Sequence, residues 1–193
     1  MSLVPGSLPS GTCYGTPQEL LDLFAQYLDV PAFLADSKIL QVVEGTSTTS
    51  KAITATSFPT LPSTTNDSNL SVTITPTSTA NRILVLVSQS VSVSHSATTA
   101  AGGKVALVQT INSSPTAVST FIYSGGTKDL ALSGASGNLL LTVPWTFFYL
   151  TSAIATLNSV TYKTQGAVNP NGSTITFQPD SQRSSILAIE VKG

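Results

Sequence analysis

The sequence predicts an all-β protein, a jelly-roll-like antiparallel β-sandwich preceded by an N-terminal arm and one short α-helix. Charged residues make up only 9% of the 193 residues, whereas serine and threonine each occur 28 times. This balance favours strands with hydroxyl-bearing surfaces over helices. Short segments of alternating polar and apolar residues are separated by turns that contain glycine, proline or asparagine. About eight strands at this spacing are typical of a jelly-roll-like sandwich.

The stretch 138–163 carries the clearest strand pattern. Apolar and aromatic side chains occupy every second position of 139–149, so on an extended strand they point to one face, which we interpret as core. The opposite face, 140–150, mixes apolar with hydroxyl side chains, as expected where a second sheet or another subunit covers it in part. A second strand follows at 159–163. With the apolar positions of two further strands, the predicted core comprises Val85, Val87, Leu141, Val143, Trp145, Phe147, Tyr149, Val160, Tyr162 and Ile189.

An N-terminal region over 1–36 is predicted to hold an arm and an attachment helix. The arm, 1–14, is rich in proline, glycine and serine, which resist regular structure. Thr16 is the predicted N-cap, Pro17 occupies the first helical position and Glu19 completes a capping box. The apolar stripe of the helix consists of Leu20, Leu23, Phe24, Tyr27 and Leu28. The stripe fits packing on the body of its own subunit as well as docking on another protein.

The rest of the chain reads as strands. The segment 37–62 contains two candidate strands, 39–44 and 52–58, separated by a hydroxyl-rich run that fits either a turn or a solvated linker. Pro59 and Pro62 then break the chain. The further candidate strands are 70–75, 83–96, 105–111, 118–123, 138–150, 159–163, 174–177 and 184–191. The sequence therefore predicts a β-rich connector over 37–62 and a β-sandwich domain over 63–193.

The order and spacing of three stretches resemble the terminal domains of tailed-phage fibre proteins. The first is the aromatic strand 138–150 with the strand that follows it. The second is the pair of segments 70–76 and 81–87, which look like paired opening strands, and the third is 184–191, which looks like a closing strand. The resemblance covers about 58–193, in which each stretch by itself is only a β pattern.

This resemblance implies a structural protein of the virion, made in the cytoplasm of the host bacterium. It implies a homotrimeric tail fibre or appendage that attaches to other virion proteins through its N-terminal segment and displays its sandwich for host attachment. The partner on the host would be a surface glycan or protein. Receptor contacts are expected in turns, because turns vary without cost to the core. The candidate contact residues are Thr98, Thr99, Thr127, Lys128, Ser136, Asn138, Asn169 and Asn171.

Two alternatives remain open. A head fibre or capsid decoration protein is one, because 193 residues leave no room for a long shaft between an anchor and a knob. A carbohydrate-binding module is the other, and it would need aromatic side chains exposed on a face or a loop. Trp145, Phe147 and Tyr149 are expected to be buried instead.

Other classes of function are not favoured. The net charge is −1 and the eight lysines and arginines are scattered singly, so no basic stripe could follow a nucleic acid. His95 and Cys13 are the only residues of their types, which excludes a metal site with several such ligands, and no acidic calcium loop occurs. We expect His95 at the surface, with no nucleophile motif near it. The sequence predicts a non-enzyme without a cofactor or membrane insertion.

Overall fold

A computed structural model describes residues 38–95, 100–112, 118–121, 130–133, 139–168 and 173–193. These residues form strands and one 3-10 turn, and no α-helix occurs among them. The strands are β1 (Ile39–Ser47), β2 (Lys51–Ile53), β3 (Asp67–Ile74), β4 (Arg82–His95), β5 (Ala100–Ile111), β6 (Val118–Phe121), β7 (Leu130–Ser133), β8 (Leu139–Leu150), β9 (Val160–Val168), β10 (Ser173–Phe177) and β11 (Ser184–Val191). The predicted arm and helix over 1–36 lie outside the described residues.

Sheet A is organised around β4, its longest strand. β8 pairs with β4 along one side, from Leu84 opposite Leu150 to His95 opposite Leu139. On the other side, β11 pairs with the first half of β4 and β10 with the second half. β1 pairs with β11, and β2 pairs with β10. Sheet A is therefore four strands wide. β10 and β11 lie end to end beside β4, and β1 and β2 lie in the same way beside β11 and β10.

Sheet B has the same width and is also antiparallel. Its order is β3, β9, β5, and then β6 and β7, which pair with opposite ends of β5. Along the sequence, the chain usually passes from one sheet to the other between successive long strands. β1, β4, β8 and β11 therefore lie in sheet A, while β3, β5 and β9 lie in sheet B. This arrangement is that of a jelly-roll-like sandwich. The predicted fold class, an all-β antiparallel sandwich, is confirmed.

Three details differ from the sequence-based expectations. The segment 37–62 is not a separate connector, because β1 and β2 are strands of sheet A, and the sandwich begins at Ile39. The expected opening strands 70–76 and 81–87 do not pair with each other. They correspond to β3 and β4, which lie in different sheets and pair with β9 and with β8, β10 and β11. The expected strand 52–58 ends at Ile53.

The core lies between the two sheets. Of the predicted core residues, the buried ones are Val85, Val87, Trp145, Val160 and Tyr162. Those that are half-buried and pack against the core are Val143, Phe147 and Tyr149. Leu141 is half-buried near the start of β8. Ile189 does not belong to the core, because β11 turns Ile186, Ala188 and Glu190 inward and leaves Ile189 half-buried on the opposite face.

A polar cluster crosses the middle of this core. Gln89 of β4 donates through Nε2 to Ser68 Oγ of β3 at 2.9 Å and accepts at Oε1 from the hydroxyl of Thr164 of β9 at 3.0 Å. The amide of Gln178, oriented by its partners, donates to the backbone carbonyls of Ser68 and Thr49. Since buried polar groups are costly without partners, this cluster favours a single alignment of the two sheets.

Gly45 of β1 lies where the two sheets approach each other closely. A Cβ at this position would lie 1.9 Å from the carbonyl oxygen of Ser71 in β3, so a backbone would have to move. We expect Gly45→Ala to lower the free energy of unfolding by about 1–3 kcal/mol, measured by urea denaturation. Thr46→Ala, an exposed neighbour, should change this free energy by less than about 0.5 kcal/mol. Equal effects of the two substitutions would contradict the close approach.

Candidate interaction surface

The surface that stands out is the outer face of sheet A, the side turned away from sheet B. Strand pairing places its side chains in rows that cross all four strand positions. One row runs through Leu150, Leu84, Ile189 and Val42, on β8, β4, β11 and β1 respectively. The next row lies two residues away along each strand. It runs through Phe148, Leu86, Leu187 and Glu44. The strand register therefore gathers apolar side chains that lie far apart in the sequence.

These two rows form a continuous apolar patch. We define the apolar half of the outer face as Val42, Leu84, Leu86, Phe148, Leu150, Leu187 and Ile189. Phe148 is 73% exposed and Val42 56%, while Leu84 and Leu86 between them are half-buried. Soluble monomers rarely expose apolar patches of more than a few hundred Å². The apolar half is therefore a candidate contact surface for another protein chain.

Most of the rest of the outer face carries hydroxyl groups, although Leu140, which is 69% exposed, and Pro144 also lie on it. We define this hydroxyl half as Thr46, Ser88, Ser90, Ser92, Ser94, Thr142, Thr146, Thr174, Thr176 and Ser185. Ser90 Oγ hydrogen-bonds to Gln182 Oε1, so part of this set is already engaged within the subunit. Hydroxyl groups both donate and accept, which lets such a surface adapt to water or to another polar surface.

Charges occur only at the border of the outer face within the described strands. Glu44 of β1 and Arg183 form an exposed ion pair at 3.1 Å between Oε1 and Nη2. Arg82 stands at the start of β4, where its Nε donates to the backbone carbonyl of Thr151. An exposed ion pair contributes little to stability. The centre of the face therefore carries no charge whose burial in an interface would be costly.

β8 forms the edge of sheet A in the described part of the chain, and Pro144 lies near its middle. Opposite Pro144, Ser90 of β4 directs both its N–H and its carbonyl oxygen to the other side, where they bond Ser184 Oγ and the N–H of Gln178. The pair Ser90 and Pro144 is therefore a non-hydrogen-bonded one, so the ring nitrogen of Pro144 faces the free edge. A proline in this place removes a donor that a further strand would need.

A small cleft opens between β5 and the end of β8. It has a volume of about 210 Å³ and is lined by Gln109, Tyr149, Thr151, Ser152, Ala153 and Ile154. Behind it, Gln109 Nε2 donates to Tyr162 Oη at 3.1 Å. The pKa of Tyr162 is raised to about 12. Burial is the main cause; the hydrogen bond from Gln109 lowers the pKa, and the neighbouring Tyr149 raises it. The phenol thus stays neutral at physiological pH and offers hydrogen bonds rather than acid–base chemistry.

Glu190 is the buried carboxylate of the sandwich. Its Oε1 accepts from Asn81 Nδ2 at 2.6 Å and from the N–H and hydroxyl of Thr77 at 2.7 and 2.9 Å. Its Oε2 accepts from Gln41 Nε2 at 2.6 Å. Burial raises the pKa of Glu190, but these hydrogen bonds outweigh burial and hold the pKa below its usual value of 4.5. The ionised carboxylate joins β1, β11 and the turn between β3 and β4.

The predicted contact residues at the turns all lie outside the described residues, as do the stripe residues of the N-terminal helix. They are Thr98, Thr99, Thr127, Lys128, Ser136, Asn138, Asn169 and Asn171, with Leu20, Leu23, Phe24, Tyr27 and Leu28 of the helix. His95 is buried, contrary to the surface position expected for it, because the inward parity of β4 places it between Ser173 and Leu139 of the neighbouring strands.

Sequence reasoning missed most of the outer face. It identified the mixed face of 140–150 but not the contributions of β1, β4 and β11, since these depend on the strand order. A usable signal was present in Leu187 and Ile189, which alternate with the small or polar residues of β11. The prediction that Ile189 belongs to the core assigned that alternation to the wrong face.

Neither metal nor membrane features accompany this surface in the part of the chain that the structure describes. Among those residues, no group of three or more His, Cys, Asp or Glu side chains is placed to hold a metal ion. No helix there has both the length and the apolar character needed to cross a membrane. In comparisons with known proteins, no family model and no curated protein matches the chain.

Proposed function

We propose that this chain is a non-enzymatic structural protein that works as one subunit of a larger assembly. The observation that carries the proposal is the apolar half of the outer face of sheet A, which extends across all four strand positions and includes Phe148 at 73% exposure. A protein that acts alone has no use for such a surface, whereas a subunit buries it. The low charged fraction of 9% supports the same conclusion, since a dispersed monomer needs a charged surface.

We propose further that the assembly is the virion of a tailed phage, as a homotrimeric tail fibre or appendage. The support for this step is the resemblance of the three β stretches to phage fibre domains, together with the jelly-roll-like order of strands in which they lie. The N-terminal segment attaches the subunit to other virion proteins, and the turns of the sandwich contact a host-surface glycan or protein. A head fibre or capsid decoration protein is the nearest alternative within the virion.

Purified phage particles test this proposal directly. We expect cryo-electron microscopy to show the sandwich at a defined appendage on the tail, in groups of three copies. Density on the head instead would assign the protein to head fibres or capsid decoration. If mass spectrometry of particles purified from cells that make the protein found no copies, the virion function would be contradicted. Light scattering that showed only a species of 19.9 kDa for the purified full-length protein would contradict the trimer in solution.

A carbohydrate-binding module is the second candidate, and one observation favours it. Phe148 is an aromatic side chain exposed on a sheet face, near the serines and threonines of the hydroxyl half. Sugar sites use such aromatic platforms together with polar groups. However, two of the immediate neighbours of Phe148 on its face, Leu86 and Leu150, offer no hydrogen bonds to a sugar, and only Thr146 on its other side carries a hydroxyl group. The apolar environment of Phe148 therefore supports a protein contact better than a glycan contact.

A further inference from the structure

We propose that the outer face of sheet A packs against the same face of a second copy of this chain. The inference rests on the proposed function, since that function requires an assembly. Two identical faces meet across a two-fold axis, so this contact joins copies in pairs and is separate from the three-fold contacts of the proposed trimer. Four features of the face carry the inference: its anchor residues, its lack of charge, its area and the nature of the adjacent edge.

Phe148 is the natural anchor of the contact. It projects from β8. Leu86 lies beside it on β4 and Leu187 lies next in the same row on β11, so the neighbouring side chains across the sheet are apolar. Interfaces derive most of their affinity from a few large side chains, often aromatic ones, and Phe148 is such a side chain on the edge strand of this face. Leu150, also exposed, lies next to Phe148 on β8, and exposed Val42 on β1 extends this patch to the opposite edge of the sheet.

The occupant that fits the face best is an identical face. Its centre has no charge among the described residues, so a charged partner would lose hydration without gaining an ion pair. A second copy brings an equally uncharged surface. Its hydroxyl half can meet the other subunit through direct or water-mediated hydrogen bonds, which serine and threonine form as donors or acceptors.

The area is sufficient for a stable contact. Four strand positions about 4.8 Å apart give a width of about 19 Å, and the 14 residues of β4, at about 3.3 Å each, give a length of about 46 Å. The outer face thus measures on the order of 900 Å². Stable interfaces bury about 800 Å² on each partner. A contact between two copies of this face therefore buries an area of standard size on each copy.

The neighbouring edge of the sheet makes a face contact more favourable than an edge contact. β8 could accept a strand from a second copy only with a gap at Pro144, because that residue has no N–H to offer at the free edge. A contact through the face leaves the backbone of β8 unchanged. The geometry therefore points to packing of side chains rather than to a continuous sheet between copies.

The test compares substitutions on and off the face in the full chain. Phe148→Glu places a charge within the apolar half, and Val118→Glu makes the same type of change at a residue that is 55% exposed on β6 of sheet B. Association is measured by analytical ultracentrifugation over a range of concentrations, and folding by circular dichroism. We expect Phe148→Glu to weaken association at least about 30-fold, and Val118→Glu to leave it unchanged.

Thr146→Glu provides a second substitution on the face, at an exposed position next to Phe148, should Phe148→Glu not fold. Its association should also be weakened, by about tenfold or more. The inference is overturned if the wild-type protein is a monomer throughout the concentration range. It is also overturned if the protein associates but folded variants on the face associate as tightly as Val118→Glu. In that second case the proposed assembly stands and uses another surface.

Discussion

Replacing Glu190 with alanine is expected to lower the free energy of unfolding by about 3 kcal/mol. The substitution removes the acceptor of four hydrogen bonds, donated by Asn81, Thr77 and Gln41. Of these residues Asn81 is buried, whereas Thr77 is exposed and Gln41 Nε2 also donates to the carbonyl oxygen of Thr75. Buried donors without acceptors are more costly than the loss of the bonds themselves. Urea denaturation at one protein concentration measures the change, since association would otherwise contribute to the stability.

The same carboxylate predicts a dependence of stability on pH. The pKa of Glu190 is lowered in the folded protein, so the folded state binds the proton less readily than the unfolded state does. Its contribution to stability is therefore complete above the unfolded value of 4.5 and is lost as the pH falls through the lower, folded value. Above this range the contribution does not change with pH.

Glu190→Gln is the matched control, because it keeps the shape but cannot ionise. We expect the wild-type protein to be the more stable of the two at pH 7, and the difference to decrease at about pH 3. A difference that stayed constant between these two pH values would contradict the lowered pKa. A difference that increased on acidification would mean that folding raises the pKa of Glu190 instead of lowering it.

Trp145→Ala is expected to lower the free energy of unfolding by about 3–5 kcal/mol, as is usual for the truncation of a buried aromatic residue. Trp145 is 2% exposed, and its ring lies 4.4 Å from that of Phe147, centre to centre, in a tilted arrangement. The cavity left by the indole would lie beside Gln89, whose Cα is paired with that of Trp145 across β8 and β4. A vacancy there would also disturb the polar cluster of the core.

Thr142→Ala is the control on the same strand, because Thr142 is exposed on the outer face. Its effect on the free energy of unfolding should be below about 0.5 kcal/mol. Urea denaturation of both variants, with the dependence on urea concentration compared, measures the two effects. If Trp145→Ala cost less than about 1 kcal/mol, the indole would not contribute to the core as its burial indicates.

The fold class could be predicted because it depends on local patterns. In β8, inward positions are aromatic or aliphatic up to Tyr149, and this alternation specifies a strand whatever its neighbours are. In β11 the same reasoning failed, since Ser184 and Glu190 face inward while Leu187 and Ile189 face outward. The partners that make a buried Glu190 tolerable are more than 100 residues away in the sequence, and no local pattern contains them.

The candidate surface was predictable only in part for a related reason. A single strand shows which of its residues share a face, and the sequence indicated that 140–150 presents a mixed one. Joining Phe148 to Leu86 and Leu187 requires the strand order, which depends on pairings between distant segments. The membership of β1 in sheet A was hidden as well, because Gly45 and the threonines that follow it read as a turn.

The proline at the edge of β8 has a consequence for solubility in the cell. The sequence of β8 is entirely uncharged, rich in aromatic and aliphatic residues and twelve residues long, and such segments nucleate amyloid-like ribbons when exposed. Pro144 interrupts the row of donors that growth by strand addition would need. Pro144 thus disfavours open-ended polymerisation of newly made chains through the edge of β8.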